Sequence, residues 1–158
     1  MRWVKCDRRD RLIRPAGVLV FFLLASCSVV SEQAGTGGAE KHTLRSDPSQ
    51  VFYLYLPPSY SPDRPWPVMV SVHGSDGDGR SLLLTWEPYA DADGFVLISP
   101  TFPPGYNQLA GGEDEKLLAI LDQVGETIPL QDKVFLVGFS GGGQFVHRFA
   151  FRHAARVL

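Results

Sequence analysis

The sequence is poor in cysteine, in basic charge beyond its first residues and in long hydrophobic runs. Its only cysteines, Cys6 and Cys27, lie in or beside the N-terminal segment, which excludes a disulfide framework or a thiolate metal site elsewhere in the 158 residues. From residue 27 onward, nine Lys and Arg stand against fifteen Asp and Glu. That acidic balance argues against binding to nucleic acid or to anionic lipid surfaces. The apolar run at residues 18–24 is too short to span a bilayer.

The N-terminal segment has the order of charges expected of an export signal. Six Lys and Arg within residues 1–14 precede the apolar run, and we expect a signal peptide over residues 1–26. The stretch Leu24-Ala25-Ser26-Cys27 resembles the lipobox of bacterial lipoproteins. The resemblance implies that a lipid on Cys27 anchors the exported protein in the cell envelope. The alternative is an ordinary signal peptide with an incidental cysteine.

The remaining chain divides into a polar stretch and a folded domain. Small, polar and glycine-rich residues predict a flexible tether over residues 27–46, ahead of a domain over residues 47–158. Apolar runs alternate there with segments of helical periodicity, which indicates an α/β fold with a mostly parallel sheet and flanking helices. The predicted strands are 51–56, 68–72, 95–98 and 134–137, and the predicted helices are 81–91, 113–125 and 144–156.

The most informative motif is Gly-x-Ser-x-Gly at residues 138–142, between the last predicted strand and the last predicted helix. A serine on a sharp strand-to-helix turn projects its hydroxyl above the sheet, as a nucleophile must. Gly138 and Gly142 flank Ser140 because a side chain at either position would crowd the turn or the facing helix. The N–H of Gly141 opens the helix and can donate to an oxyanion. The alternative reading is a glycine-rich loop that binds a phosphate or a dinucleotide.

Together with His73-Gly74 after the second predicted strand, this motif resembles the α/β-hydrolases, especially esterases of the polyhydroxybutyrate-depolymerase and feruloyl-esterase kind. The stretches that carry the resemblance are residues 56–60, 67–74 and 137–143. The resemblance implies a serine hydrolase without a cofactor, in which Ser140 attacks a small-molecule or polymeric carboxylic ester and forms an acyl-enzyme. It also implies an oxyanion site formed by Gly141 and by an N–H near Gly74 and Ser75.

The chain departs from this family after Ser140, where an Asp and then a His should follow. No Asp or Glu follows Ser140, and the two later histidines, His147 and His153, fall on the predicted helix. A rise of about 1.5 Å per residue places His147 roughly 10 Å along the helix axis from Ser140, beyond hydrogen-bond reach. We therefore expect the N-terminal half of an α/β-hydrolase, truncated after the nucleophile helix. The alternatives are an inactive fragment or a non-catalytic, envelope-anchored binding module, and more remotely a peptidase.

Other polar residues allow a structural and a functional interpretation. His73 could be a catalytic base or a metal ligand. We favour the alternative, in which it is a strand-end residue and the functional groups are those of the neighbouring loop backbone. Asp76 and Asp78 fit turn hydrogen bonds better than a cation site. The acidic run at residues 113–115 fits the N-terminus of a helix better than acid–base catalysis, and we expect no metal.

Several aromatic residues are candidates for lining an acyl or aryl pocket. Phe102 and Tyr106 follow the carboxyl end of a predicted strand, where ligands bind in open α/β sheets. We expect these two rings to line the pocket, whereas Trp86 is expected to pack in the core.

Overall fold

The computed structural model describes residues 38–158, so the expected signal peptide and Cys27 lie outside the described residues. Five strands form one sheet: β1 (Glu40–Leu44), β2 (Asp47–Tyr55), β3 (Trp66–Val72), β4 (Val96–Thr101) and β5 (Leu130–Gly138). Three helices flank it: α1 (Gly79–Asp93), α2 (Glu113–Gly125) and α3 (Gly141–Arg152). None of the helices between residues 38 and 158 is both long enough and apolar enough to cross a membrane.

The strand order is β1-β2-β4-β3-β5, with parallel pairing confined to β4, β3 and β5. The α/β class and the flanking helices are therefore confirmed. The sheet is mixed, since β2 runs antiparallel to both β1 and β4. The short connection from β2 to β3 contains no helix, so it cannot make the crossover that two parallel strands require, and β3 runs opposite to β2. Because β4 is parallel to β3, it pairs antiparallel with β2.

The expected tether over residues 27–46 extends too far, because Glu40–Leu44 forms β1 and pairs with β2. This strand escaped sequence analysis because it lies at the sheet edge, where most of its residues are exposed and the apolar signal is weak. Folded structure therefore begins before residue 47.

The central strands β3 and β4 are buried on both faces, as expected of parallel strands between layers of helices. One face of the sheet packs against α2 and α3, which contribute Leu117, Ile120, Phe145 and Phe149. The other face packs against α1 in a smaller cluster, in which Trp86 is partly buried. The layers meet closely at Gly79, where an added Cβ would lie 2.9 Å from the carbonyl oxygen of Pro100.

Within residues 38–158, the outer edge of β5 is paired only at Val134, by the last two residues of the chain. Val157 forms a parallel bridge with Val134, and the Leu158 N–H donates to the Val134 carbonyl at 3.2 Å. Beyond this point Phe135 is 49% exposed. The contacts of Val157 and Leu158 with Val134 therefore cover only one end of this edge.

A buried ion pair joins the start of α2 to the end of α3. Asp114 is almost fully buried, and its Oδ2 accepts hydrogen bonds from His153 Nε2 and from the Arg152 guanidinium, each at 3.0 Å. Burial alone would raise the pKa of Asp114, but these two donors outweigh it and hold the pKa below its ordinary value. The sequence predicts only that residues 113–115 stabilise the N-terminus of α2. Asp114 in addition joins α2 to the end of α3.

We predict that Asp114→Asn lowers the free energy of unfolding by about 2 kcal/mol at neutral pH, because the hydrogen bonds to a charged acceptor are lost. A depressed pKa stabilises the fold above the unfolded-state value of about 3.9, and this contribution disappears as the pH falls through the folded-state pKa. Urea unfolding at several pH values should show that the free energy of unfolding falls less steeply with decreasing pH in the variant than in the wild type. The control is Asp122→Asn, on the exposed side of the same helix. An equal effect of the two substitutions would contradict the prediction.

Candidate active site

Ser140 occupies a strained turn between β5 and α3. Its backbone has φ 51° and ψ −112°, a conformation that non-glycine residues rarely adopt, and its side chain is exposed. Strain of this kind persists only where the surrounding structure enforces it, and it is concentrated at functional sites. The strand, turn and helix predicted around Ser140 are all present.

The two flanking glycines allow the turn to pack against its neighbours. A Cβ on Gly142 would lie 2.6 Å from the carbonyl oxygen of His73 and closer still to that of Val72, at the end of β3. A Cβ on Gly138 would lie 2.6 Å from the Gly143 nitrogen. Since these obstacles are backbone atoms, no side-chain movement would relieve them. Glycine is therefore required at Gly142 for the approach of α3 to the end of β3, and at Gly138 for the tight turn from β5 into α3.

The start of α3 lies beside the loop that follows β3. A Cβ on Gly141 would lie 3.5 Å from the backbone nitrogen of Ser75 and 2.9 Å from its hydroxyl. Gly141 is the first residue of α3, so its N–H has no acceptor within the helix. The structure thus places Gly141 beside Ser75, the residue that follows Gly74, and the assignment of these residues to an oxyanion site stays a prediction.

His73 is buried beneath this loop with both ring nitrogens engaged. Its Nδ1 lies 2.6 Å from the carbonyl oxygen of Gly74, and its Nε2 lies 2.9 Å from the backbone nitrogen of Phe102. A carbonyl only accepts and a backbone N–H only donates, so the ring fits as the neutral tautomer with its proton on Nδ1. With both nitrogens occupied, His73 has none left to act as a base or a metal ligand.

Tyr106 supports the same loop from the other side. Its hydroxyl donates to the His73 carbonyl, and its ring packs against the imidazole with centroids 5.0 Å apart. Burial raises the pKa of Tyr106, which keeps the phenol protonated as a donor. The sequence predicts only a pocket residue at Tyr106, because the hydrogen bond of its hydroxyl joins segments 33 residues apart and leaves no local signal.

A cavity of about 280 Å³ opens beside this loop, lined by Ser75, Asp76, Phe102 and Tyr106 among others. The two aromatic residues expected to line a pocket do so, and they also pack against Phe145 of α3. A larger cavity of about 540 Å³ lies between α2 and β5. Its lining contains no Ser, Cys or His, so it offers no nucleophile.

The histidines that follow Ser140 are directed elsewhere. His147 is exposed on α3 with its ring edge-on to Phe151, and His153 donates to Asp114. The described residues after Ser140 therefore supply no carboxylate and no histidine arranged as a base for its hydroxyl.

The acidic residues considered as ligands have structural partners. Asp78 caps α1 by accepting the Ser81 N–H at 2.9 Å, a bond that lowers the pKa of Asp78. Asp76 has φ 63°, typical of an Asp in a tight turn. Ligand atoms of Asp114, Glu115 and His153 lie within 4.8 Å of one another, but the Asp114–His153 pair is already satisfied internally.

Comparison with known proteins identifies esterases as relatives of this chain. It is 32% identical over 101 residues to a bifunctional acetylxylan esterase/xylanase of Neocallimastix patriciarum, covering 60% of this chain and 15% of that protein. It is 27% identical over 143 residues to feruloyl esterase B of Thermothelomyces thermophilus, covering 81% of this chain and 46% of the relative. No protein-family model matches the chain.

Solved structures agree with this result. The poly(3-hydroxybutyrate) depolymerase LpqC of Bordetella parapertussis superposes with a TM-score of 0.58 at 29% identity, over 72% of this chain and 46% of the other. The resemblance to α/β-hydrolase serine esterases and the fold it implies are thus confirmed. The chain spans less than half the length of either curated relative that it matches.

We predict that Gly142→Ala destabilises the fold by about 3 kcal/mol, because the added methyl group meets the carbonyls of Val72 and His73. The matched control is Gly143→Ala in the same helical turn, where an added Cβ meets nothing closer than 3.5 Å. That substitution should stabilise the helix by about 0.5–1 kcal/mol. Urea denaturation of both variants measures the difference, and equal stabilities would show that the close approach is not required.

Proposed function

We propose that the protein is a serine hydrolase that cleaves carboxylic esters through an acyl-enzyme on Ser140. The observation that carries the proposal is the strained, exposed Ser140 beside the first N–H of α3 and the Ser75 loop. Similarity to acetylxylan and feruloyl esterases supports the reaction class. A small or polymeric ester is therefore the substrate class that we propose.

In this mechanism, the Ser140 hydroxyl attacks the ester carbonyl and a base accepts its proton. The carbonyl oxygen becomes an oxyanion, held by the N–H groups of Gly141 and Ser75. Expulsion of the alcohol leaves the acyl-enzyme, which water then hydrolyses to release the acid. Each oxyanion donor of this kind contributes on the order of 3 kcal/mol to lowering the barrier.

We further propose that the base and its orienting carboxylate come from residues outside the described part of the protein or from a second polypeptide. His147 and His153 are directed elsewhere, and Ser140 needs a base within about 3 Å. The open edge of β5 supports this proposal, because the bridge between Val134 and Val157 already begins a further parallel pairing. The length of the relatives is consistent with it.

The proposed site of action is the cell envelope. Residues 1–26 have the pattern of an export signal, and Cys27 stands where a lipobox would place the lipidated residue. Mass spectrometry of the protein from bacterial membranes tests the anchor. A diacylglyceryl group on Cys27 is expected, and an unmodified Cys27 in a soluble exported form would refute it.

We predict that a fluorophosphonate labels Ser140 slowly, since the oxyanion site accepts the P=O group of the probe while the chain by itself lacks a base for the hydroxyl. Mass spectrometry should place the adduct on the peptide that contains Ser140. Ser140→Ala should abolish labelling, whereas the matched control Ser46→Ala, in the exposed turn between β1 and β2, should label as the wild type does. Labelling at any other serine would overturn the assignment of the nucleophile.

We predict that the 158-residue chain by itself hydrolyses p-nitrophenyl acetate only slowly. Without a base for its hydroxyl, Ser140 attacks the ester unassisted, and only the oxyanion donors lower the barrier. His147→Ala should leave this rate unchanged, while Ser140→Ala should remove it. A large loss in His147→Ala would mean that α3 supplies the base. Equal rates in wild type and Ser140→Ala would instead favour a non-catalytic binding module.

A further inference from the structure

We propose that His73 is a positioning residue that aims the Ser75 N–H at the oxyanion, through a neutral imidazole fixed in one tautomer. The inference rests on the proposed function, because it assigns the source of one oxyanion donor. It adds a role for a buried side chain that does not touch the substrate.

The peptide group between Gly74 and Ser75 is held in one orientation. In a trans peptide, the C=O of one residue and the N–H of the next point in opposite directions. The Gly74 carbonyl accepts the Gly77 N–H at 3.1 Å and lies 2.6 Å from His73 Nδ1. Holding this carbonyl turned toward the imidazole therefore holds the Ser75 N–H turned away from it.

The imidazole is itself fixed from several sides. The Phe102 N–H donates to Nε2 at 2.9 Å, which forces the single ring proton onto Nδ1, where it meets the Gly74 carbonyl. The Tyr106 ring packs against the imidazole, and its hydroxyl holds the His73 carbonyl. His73 is 3% exposed, so water cannot easily replace these partners.

The Ser75 N–H lies beside the residue that follows the nucleophile. The Ser75 nitrogen lies 3.5 Å from where a Cβ on Gly141 would be, so the loop after β3 and the start of α3 bring the two proposed donors together. An oxyanion hole accelerates a reaction only if its donors are oriented before the charge develops. His73 would contribute that orientation without carrying charge.

Two amide substitutions separate positioning from general packing. The amide of Asn approximates the Nδ1 position, so His73→Asn keeps a donor for the Gly74 carbonyl and loses the acceptor for the Phe102 N–H. The longer Gln approximates Nε2, so His73→Gln keeps that acceptor and loses the donor. Because each variant loses one of the two hydrogen bonds of the ring, we expect the two substitutions to destabilise the fold by similar amounts.

The first measurement is independent of catalysis. The residual dipolar coupling of the Ser75 N–H in an aligning medium reports the direction of that bond. It should be unchanged in His73→Asn and altered in His73→Gln, and two-bond ¹H–¹⁵N spectra should show the wild-type ring protonated on Nδ1 only. A proton on Nε2, or an unaltered Ser75 coupling in His73→Gln, would overturn the proposal whatever the protein's activity.

The second measurement is ester hydrolysis by the full chain. His73→Gln should lower kcat roughly 100-fold with little change in KM, because an oxyanion donor acts on the transition state. His73→Asn should stay within about tenfold of the wild type, and equal losses in both variants would indicate a merely structural role. If Ser140→Ala is as active as the wild type, the proposed function fails, while the dipolar coupling still decides whether His73 orients the Ser75 N–H.

Discussion

The site depends on one close approach, that of the first turn of α3 to the carboxyl end of β3. Gly142 leaves no room for a side chain against the Val72 and His73 carbonyls. The Phe139 N–H donates to the Val72 carbonyl at 3.1 Å, which ties the turn to the same strand end. Without this contact, Ser140 would not face the loop after β3. The strained backbone at Ser140 is thus maintained by packing on both sides of it.

The opposite end of α3 is held by a different kind of interaction. Arg152 and His153 converge on the buried carboxylate of Asp114 at the start of α2. A buried carboxylate with two charged or polar donors is costly to disrupt, because removal of one partner leaves the others unsatisfied. Close van der Waals contact with β3 therefore positions the start of α3, and the ion pair with Asp114 positions its end. The direction of α3, and with it the position of the Gly141 N–H, is fixed by both.

Sequence patterns predicted most of the architecture, because the central strands and helices are strongly apolar and the spacing of their apolar residues is regular. β3, β4, α2 and the start of α3 all lie close to where the spacing predicted them. The edge strand β1 was missed because its residues are mostly exposed, and the antiparallel direction of β2 has no counterpart in local spacing. Ser140, Gly138 and Gly142 were recognisable because the constraint on them is local and steric.

The roles of His73, Tyr106 and Asp114 were not accessible in the same way. Each depends on a partner brought by the fold from 29 to 39 residues away, and a hydrogen bond over that distance leaves no periodicity to detect. The position of His73 at the end of a predicted strand does indicate that its neighbouring backbone matters. What it could not supply was the identity of the two groups that occupy the ring nitrogens, and therefore the tautomer.

The arrangement around His73 also bears on the electrostatics of the proposed reaction. A protonated imidazole near the oxyanion would stabilise it by charge, but the ring nitrogens face the Gly74 carbonyl and the Phe102 N–H. The described loops therefore offer the oxyanion only neutral peptide dipoles. Such donors stabilise developing charge without the desolvation cost of a buried cation, provided that they are already oriented. The positive charge formed when Ser140 loses its proton must then reside on the base alone. That requirement makes the placement of the base, rather than any group beneath the oxyanion loop, the step that completes the proposed hydrolase.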